Sequence, residues 1–144
     1  MYKKAWNEIS TEEEIAEACE DAAELLEGHW TTGAWFSSWD EYDEQGSEVE
    51  RWSYCIEGAM AAAIGLDAAD MEANSDQRGK LLTCPVYSAV LDTLNQRAKR
   101  EDWDERWGMG DLPGWNDNGW GSEQNALDLL HETAKRMRGV APDA

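Results

Sequence analysis

Apolar residues recur along the chain at intervals of three and four in four separate places, and each recurrence predicts a helix. The first stripe is Ile15, Cys19, Ala22, Leu26 and Trp30, with Glu17, Glu20, Asp21, Glu24 and Glu27 on the other side. Ser10 or Thr11 can cap this helix, with Glu13 or Glu14 placed to complete a capping box. Glu12, Glu13 and Glu14 suit the positive end of its dipole, and Gly28 should end it. A second helix is expected over 51–64, where Trp52, Cys55, Ile56, Ala59, Met60, Ala63 and Ile64 leave little polar face. Such a helix belongs in the middle of a core. Gly58 and the alanines would let neighbouring backbones approach, and Gly65 is placed as a C-terminal cap. A short helical turn over 67–73 and a polar stretch over 74–80 should follow. The third helix begins near Thr83, tolerates Pro85 in its first turn, and carries the stripe Tyr87, Val90, Leu91, Leu94 and Ala98. The fourth is capped by Ser122, with Ala126, Leu127, Leu130, Ala134 and Met137 on one side, and stops at Gly139 and Pro142.

Two tryptophan-rich connections separate these helices. In 31–50 the aromatics Trp35, Phe36, Trp39 and Tyr42 are mixed with acids and Gly46. This pattern fits either a loop packed by its aromatics or a small hairpin turning near Gln45 and Gly46, and periodicity does not separate them. In 101–121, Trp103 and Trp107 are spaced for a short helical extension, whereas five glycines and Pro113 between 108 and 121 argue against regular structure over most of that span. The expectation is an all-α domain over 1–144: a compact bundle of about four helices with long, ordered, Trp-rich loops, and flexible ends at 1–8 and 139–144.

Composition sharpens this picture. At 144 residues a chain buries roughly two-thirds of its unfolded surface, and 42% hydrophobic residues with nine tryptophans supply the apolar area for a core. The formal charge is −19, and it is lopsided: the first 50 residues hold 15 acids against Lys3 and Lys4, a local net of −13. That field repels nucleic-acid phosphates and anionic membranes and attracts a basic protein surface. Solubility, or adaptation to high salt, would account for the same acids. Cys19, Cys55 and Cys84 are odd in number, widely spaced and set among apolar residues, which points to buried free thiols in a reducing cytoplasm. The N-terminal residues lack the apolar run of a signal peptide, and no stretch is apolar for long enough to span a bilayer.

Candidate chemistry is sparse. His29 and His131 lie outside any H-E-x-x-H pattern, and no acid spacing follows a calcium loop. No glycine-rich phosphate cradle is present. Neither a metal nor a cofactor is expected, and no catalytic residues are assigned. The competing enzyme reading is a metal-assisted hydrolase built on carboxylates around Asp111 and Asp117. The one compact constellation is 112–119, LPGWNDNG. Pro-Gly makes a turn, Trp115 anchors it, and Asn116 or Asp117 ties back to nearby amides; a ligand-binding role for the same side chains is the alternative.

Three segments, GHWTTGAW (28–35), YCIEGAMAAA (54–63) and GWNDNGWGSEQNALDLLHETA (114–134), carry a W-x-x-G, C-x-x-G-A and W-N-D pattern. The matching positions are Trp30 and Gly33, Cys55, Gly58 and Ala59, then Trp115, Asn116 and Asp117. In these the chain resembles a family of small proteins of unknown function from actinobacteria and their phages. The resemblance implies a phage or bacterial cytoplasmic origin and transfers no active site; every matched position also reads as a packing residue. The expected function is that of a small phage-type accessory protein that binds a basic surface on a host or phage protein. Aromatics set among acids, Trp35, Trp39, Tyr42, Trp103 and Trp107, are the candidate contacts. Its most specific form is nucleic-acid mimicry, with Glu13, Glu17, Glu20, Glu24 and Glu27 standing in for a row of phosphates. The oligomeric state is not legible.

Overall fold

Thr11 starts the first helix, α1 (Glu12–Leu26), through a reciprocal capping box. Its hydroxyl accepts from the Glu14 N–H at 3.1 Å, and the Glu14 carboxylate accepts from the Thr11 N–H at 3.0 Å. After α1, Gly28 takes a φ of +77°, the left-handed conformation that glycine adopts without steric cost. The computed structural model describes residues 4–104, 106–118 and 121–139. Of the ends expected to be flexible, 1–3 and 140–144 lie outside these. Trp6 is held: its N–H donates to the Ile64 carbonyl at 2.8 Å, and the Lys80 ammonium stands 5.7 Å from its ring centre.

The chain next forms two antiparallel strands, β1 (Phe36–Tyr42) and β2 (Glu48–Tyr54), in register from Phe36 opposite Tyr54 to Tyr42 opposite Glu48. This corrects the all-α expectation: among the described residues six α-helices accompany a two-stranded sheet, and the fold is mixed. Of the two forms open for 31–50, the hairpin is the one present. Asp43 shapes its turn, with its carboxylate accepting from Gln45 and Ser47 N–H groups and Gly46 at a φ of +78°. Residues 51–54 are strand, not helix. Trp52, Cys55 and Ile56 imitate a helical stripe, but the partner strand that claims Trp52 lies upstream, where local periodicity has no reach.

Helix α2 (Ile56–Ala63) therefore starts later, capped by the Cys55 sulfur, which accepts from the Gly58 N–H at 3.4 Å. A 3-10 turn at Ala68–Asp70 matches the expected short turn. The polar stretch 74–80, to which periodicity assigns no element, contains most of α3 (Asp76–Thr83), capped by Ser75. Helix α4 (Pro85–Arg100) carries the expected stripe but no extension to Trp107. Asp102 turns left-handed at φ +57°, and the Trp103 N–H closes back onto the Ala98 carbonyl at 2.8 Å. The glycine-rich span holds a further helix, α5 (Leu112–Asp117), with Pro113 in the first turn, where its missing N–H costs nothing. Helix α6 (Glu123–Met137) begins at Ser122 as expected.

Helix α2 is buried nearly all round, and Ile56, Ala59, Met60 and Ile64 have no exposed surface. Helix α1 packs on α2 and α6, α6 also on α4, and α5 on the start of α2. The hairpin stands away from this core, with most of its residues exposed. Among the described residues no helix is long and apolar enough to cross a membrane.

Candidate functional site

The segments carrying the W-x-x-G, C-x-x-G-A and W-N-D residues meet around one side chain. Asn116, on α5, is 1% exposed. Its Oδ1 accepts from the Trp30 indole N–H at 2.9 Å and from the Ile56 main-chain N–H at 3.1 Å. Its Nδ2 donates to the Thr31 carbonyl at 3.0 Å and to Asp117 Oδ1 at 2.9 Å, while Asp117 Oδ2 accepts from the Gly33 N–H at 3.1 Å. An amide offers two donor hydrogens and an acceptor oxygen with two lone pairs, and all are used. Asn116 is thus a cross-link with no bonding capacity left for a ligand. Gly58 marks the closest approach, because a Cβ there would overlap the Trp35 carbonyl. Ala59 and Trp115 are buried beside it in the core. A cavity of about 80 Å³ remains between Gly33, Trp35, Cys55, Pro113 and Asp117.

A second buried polar cluster was not anticipated. Glu57, in the first turn of α2, has no exposed surface. Its Oε1 accepts from the Trp35 indole N–H at 2.9 Å and from Arg78 Nε at 2.7 Å, and its Oε2 from the Tyr87 hydroxyl at 2.9 Å and Arg78 Nη2 at 3.4 Å. Arg78 Nη2 also donates to the Gly110 carbonyl at 2.9 Å, and the guanidinium lies 5.6 Å from the Trp35 ring centre. The hydrogen bond to Glu57 raises the Arg78 pKa further, and burial raises that of Tyr87. A buried carboxylate is tolerated when its lone pairs are met by a cation and neutral donors. Glu57 meets that condition and joins α2, α3, α4 and the loop around Gly110. One signal was available: Glu57 is the lone charge in the largely apolar run 52–64, and a carboxyl buried there needs a cation or neutral donors facing it.

Reactive groups are quiet. Burial pushes the Cys55 and Cys19 thiols up to about 12, so both are protonated at neutral pH, and Cys84 is raised in the same way. All three are free and buried. The His29 ring stacks on Trp52 with centroids 4.7 Å apart and its Nδ1 2.9 Å from the Trp52 carbonyl; His131 is exposed on α6. Asp111 and Asp117 both accept from main-chain N–H groups, of Gly108 at 2.6 Å and of Gly33. Among the described residues no group of three or more His, Cys, Asp or Glu is placed to hold a metal ion.

The candidate protein contacts do not form one surface. Trp35 is committed to Glu57. Trp103 and Trp107 are half-buried and pack edge to face, with centroids 6.0 Å apart, and Asn95 fastens the Trp107 backbone through two hydrogen bonds. On α1, Glu13 and Glu20 converge on Arg138, each 2.8 Å from its Nη2, and that hydrogen bond lowers the Glu13 pKa. Glu24 and Glu27 are exposed and Glu17 is half-buried. The remaining aromatics, Trp39 and Tyr42, stand on the hairpin at 45% and 74% exposure, joined by Trp52 at 39%. Helical periodicity assigns Trp52 to a core, because the strand that pairs with it lies upstream. Across 36–54, Asp40, Glu41, Asp43, Glu44, Glu48 and Glu50 face one base, Arg51, a net of −5.

No curated protein and no solved structure matches the chain. A family model described as a family of unknown function matches residues 10–136, which include all three motif segments and both buried clusters. The chain therefore belongs to DUF6197, a family of unknown function.

Proposed function

We propose that this chain is a small, non-catalytic accessory protein of phage type that acts in the bacterial cytoplasm by binding another protein through its hairpin. The observation that carries the reading is the exposure of Trp39, Tyr42 and Trp52 on a two-stranded element with a net charge of −5. Large aromatics lose little conformational entropy on docking and dominate interface energies, and the surrounding carboxylates select a basic partner and speed encounter. A core does not need these side chains, since the helices bury one without them. The carboxylate row on α1 supports mimicry less well, because Arg138 pairs with both Glu13 and Glu20.

The test is affinity capture from an actinobacterial lysate with three forms of the protein: unchanged, Trp39→Ser with Tyr42→Ser, and Glu13, Glu17, Glu20, Glu24 and Glu27 all changed to Gln. Circular dichroism would confirm that each form is folded. The expected result is a basic partner captured by the first and third forms and lost with the second. Capture that survives the hairpin changes, or no capture by any form, overturns the reading. Loss with the third form alone, together with competition by DNA or RNA, would establish mimicry instead.

A further inference from the structure

The hairpin has two edges, and they are not equivalent. At the base of β2, the Tyr54 N–H donates to the His29 carbonyl at 2.6 Å and the Thr31 N–H donates to the Tyr54 carbonyl at 2.8 Å. The core chain therefore already pairs with that edge. These bonds also set the phase of the ladder. Tyr54 points its main chain away from β1, so the facing residue Phe36 points its own away from β2, and in an antiparallel pair this alternates. The outward N–H and C=O groups of β1 then belong to Phe36, Ser38, Asp40 and Tyr42. Among the described residues no strand lies beside them, and the 3-10 turn Ala68–Asp70 comes close to β1 where it faces Phe36 across a groove, so the pairing positions are those beyond Phe36.

Side chains of these same four residues share one face. At the base of that face a groove of about 440 Å³ opens between Phe36, Tyr54, Ala62, Leu66 and Ala68, mostly apolar but with Asp67 also in its lining. Further along, Asp40 stands directly opposite Glu50. Facing like charges weaken a strand pair, and a cation placed between them would relieve the repulsion. An edge strand thus presents free main-chain groups, an apolar recess at one end and uncompensated carboxylates beyond it.

We propose that the partner docks by adding a basic, extended segment as a third strand on the free edge of β1. Resting on the protein-binding reading above, this specifies its mode: main-chain pairing at Ser38, Asp40 and Tyr42, an apolar side chain in the groove at Phe36, and lysine or arginine beside Asp40 and Glu50. Strand addition of this kind takes affinity from the backbone and specificity from alternate side chains. A second copy of the chain is the wrong occupant, because it would bring another net charge of −5 to the same edge. The competing account is that the carboxylates only guard an exposed edge against aggregation.

The probe is the peptide Leu-Thr-Lys-Thr-Lys-Thr-Leu, capped at both ends and reading the same in either direction, followed by amide chemical shifts of the folded full chain. Shifts are expected at Ser38, Asp40 and Tyr42, weakening as salt rises. N-methylation at alternate residues keeps charge and side chains but removes the donors along one peptide edge, and one of its two frames should abolish binding. On the protein, Ser38→Pro removes an outward donor without touching the β1–β2 ladder. It should weaken the peptide about tenfold, roughly the loss of one main-chain hydrogen bond, with Ser38→Ala unchanged. Equal binding of the peptide and both methylated forms, or no binding of any, overturns edge pairing; neither outcome touches the lysate result. Capture indifferent to Trp39 and Tyr42 removes the parent reading instead.

Discussion

Glu57 shows how a single buried charge organises its surroundings. Its carboxylate is fully enclosed, and the Arg78 side chain is 12% exposed, so solvent screens the pair little. Removing one partner leaves the other charge buried and unmatched, at a cost of about 3–5 kcal/mol. Arg78→Met is expected to fall in that range by urea unfolding, and Glu57→Gln to recover a large part of it in the double variant. Simple addition of the two losses would show that the pair is not coupled. Ala59 tests packing rather than charge. It has no exposed surface, so Ala59→Leu should lower stability by roughly 1–3 kcal/mol through overpacking; an unchanged urea midpoint would mean that this face of α2 yields easily.

Among the elements, α1 is the one whose stability depends most plainly on pH. The Ser10 and Thr11 N–H groups, with the Lys4 ammonium at 3.1 Å, hold the Glu14 carboxyl down to about 2 from its ordinary 4.5. A carboxyl with a lower pKa folded than unfolded stabilises fully above the unfolded value and loses that contribution as pH falls through the folded one. The helix start should therefore weaken between about pH 4.5 and about pH 2. Glu14→Gln should be less stable at neutral pH and show a flatter urea midpoint across that window. A parallel pH profile in both forms would contradict this account. The hairpin behaves differently: its turn is set locally by Asp43 and Gly46, but its place on the core depends on His29, Thr31 and Trp52.

The whole molecule carries a net charge of −19. Self-repulsion of this size opposes the compact state, and it is unscreened at low ionic strength, where the Debye length is roughly 30 Å at 0.01 M against 8 Å at 0.15 M. Thermal midpoints should accordingly rise over that salt range. Neutralising Asp40, Glu41, Glu48 and Glu50 to amides should shrink the rise, since these residues crowd one small element. A midpoint indifferent to salt would show that the charges are spaced widely enough to be harmless. Stability gained from salt and partner affinity lost to it are opposite trends from one field, and measuring both on the same protein separates solubilising acids from recognising ones.

Where structure follows from neighbours in sequence, the chain was legible: a capping box within 10–14, which the fold settles as Thr11 and Glu14, the Ser122 cap, the stripe of α4, and the burial of α2 all rest on residues a few turns or less apart. Even the grouping of Trp30, Gly33, Cys55, Gly58, Trp115 and Asn116 was visible as motif positions, though not as one cluster. What escaped depends on distant partners. Trp52 fits a helical stripe until 36–42 supplies a strand beside it. Arg78 sits in a polar stretch until Glu57 gives it a buried counter-charge. Asn116 is an ordinary turn residue until Trp30 and Ile56 converge on its oxygen. Trp35 and Trp39, alike in sequence context, part company because one indole donates to the buried Glu57 and the other to Glu41 on the exposed hairpin. Local spacing decides which backbone hydrogen bonds and caps can form; tertiary structure decided which aromatics became core and which were left outside, because burial is a property of what lies across the chain.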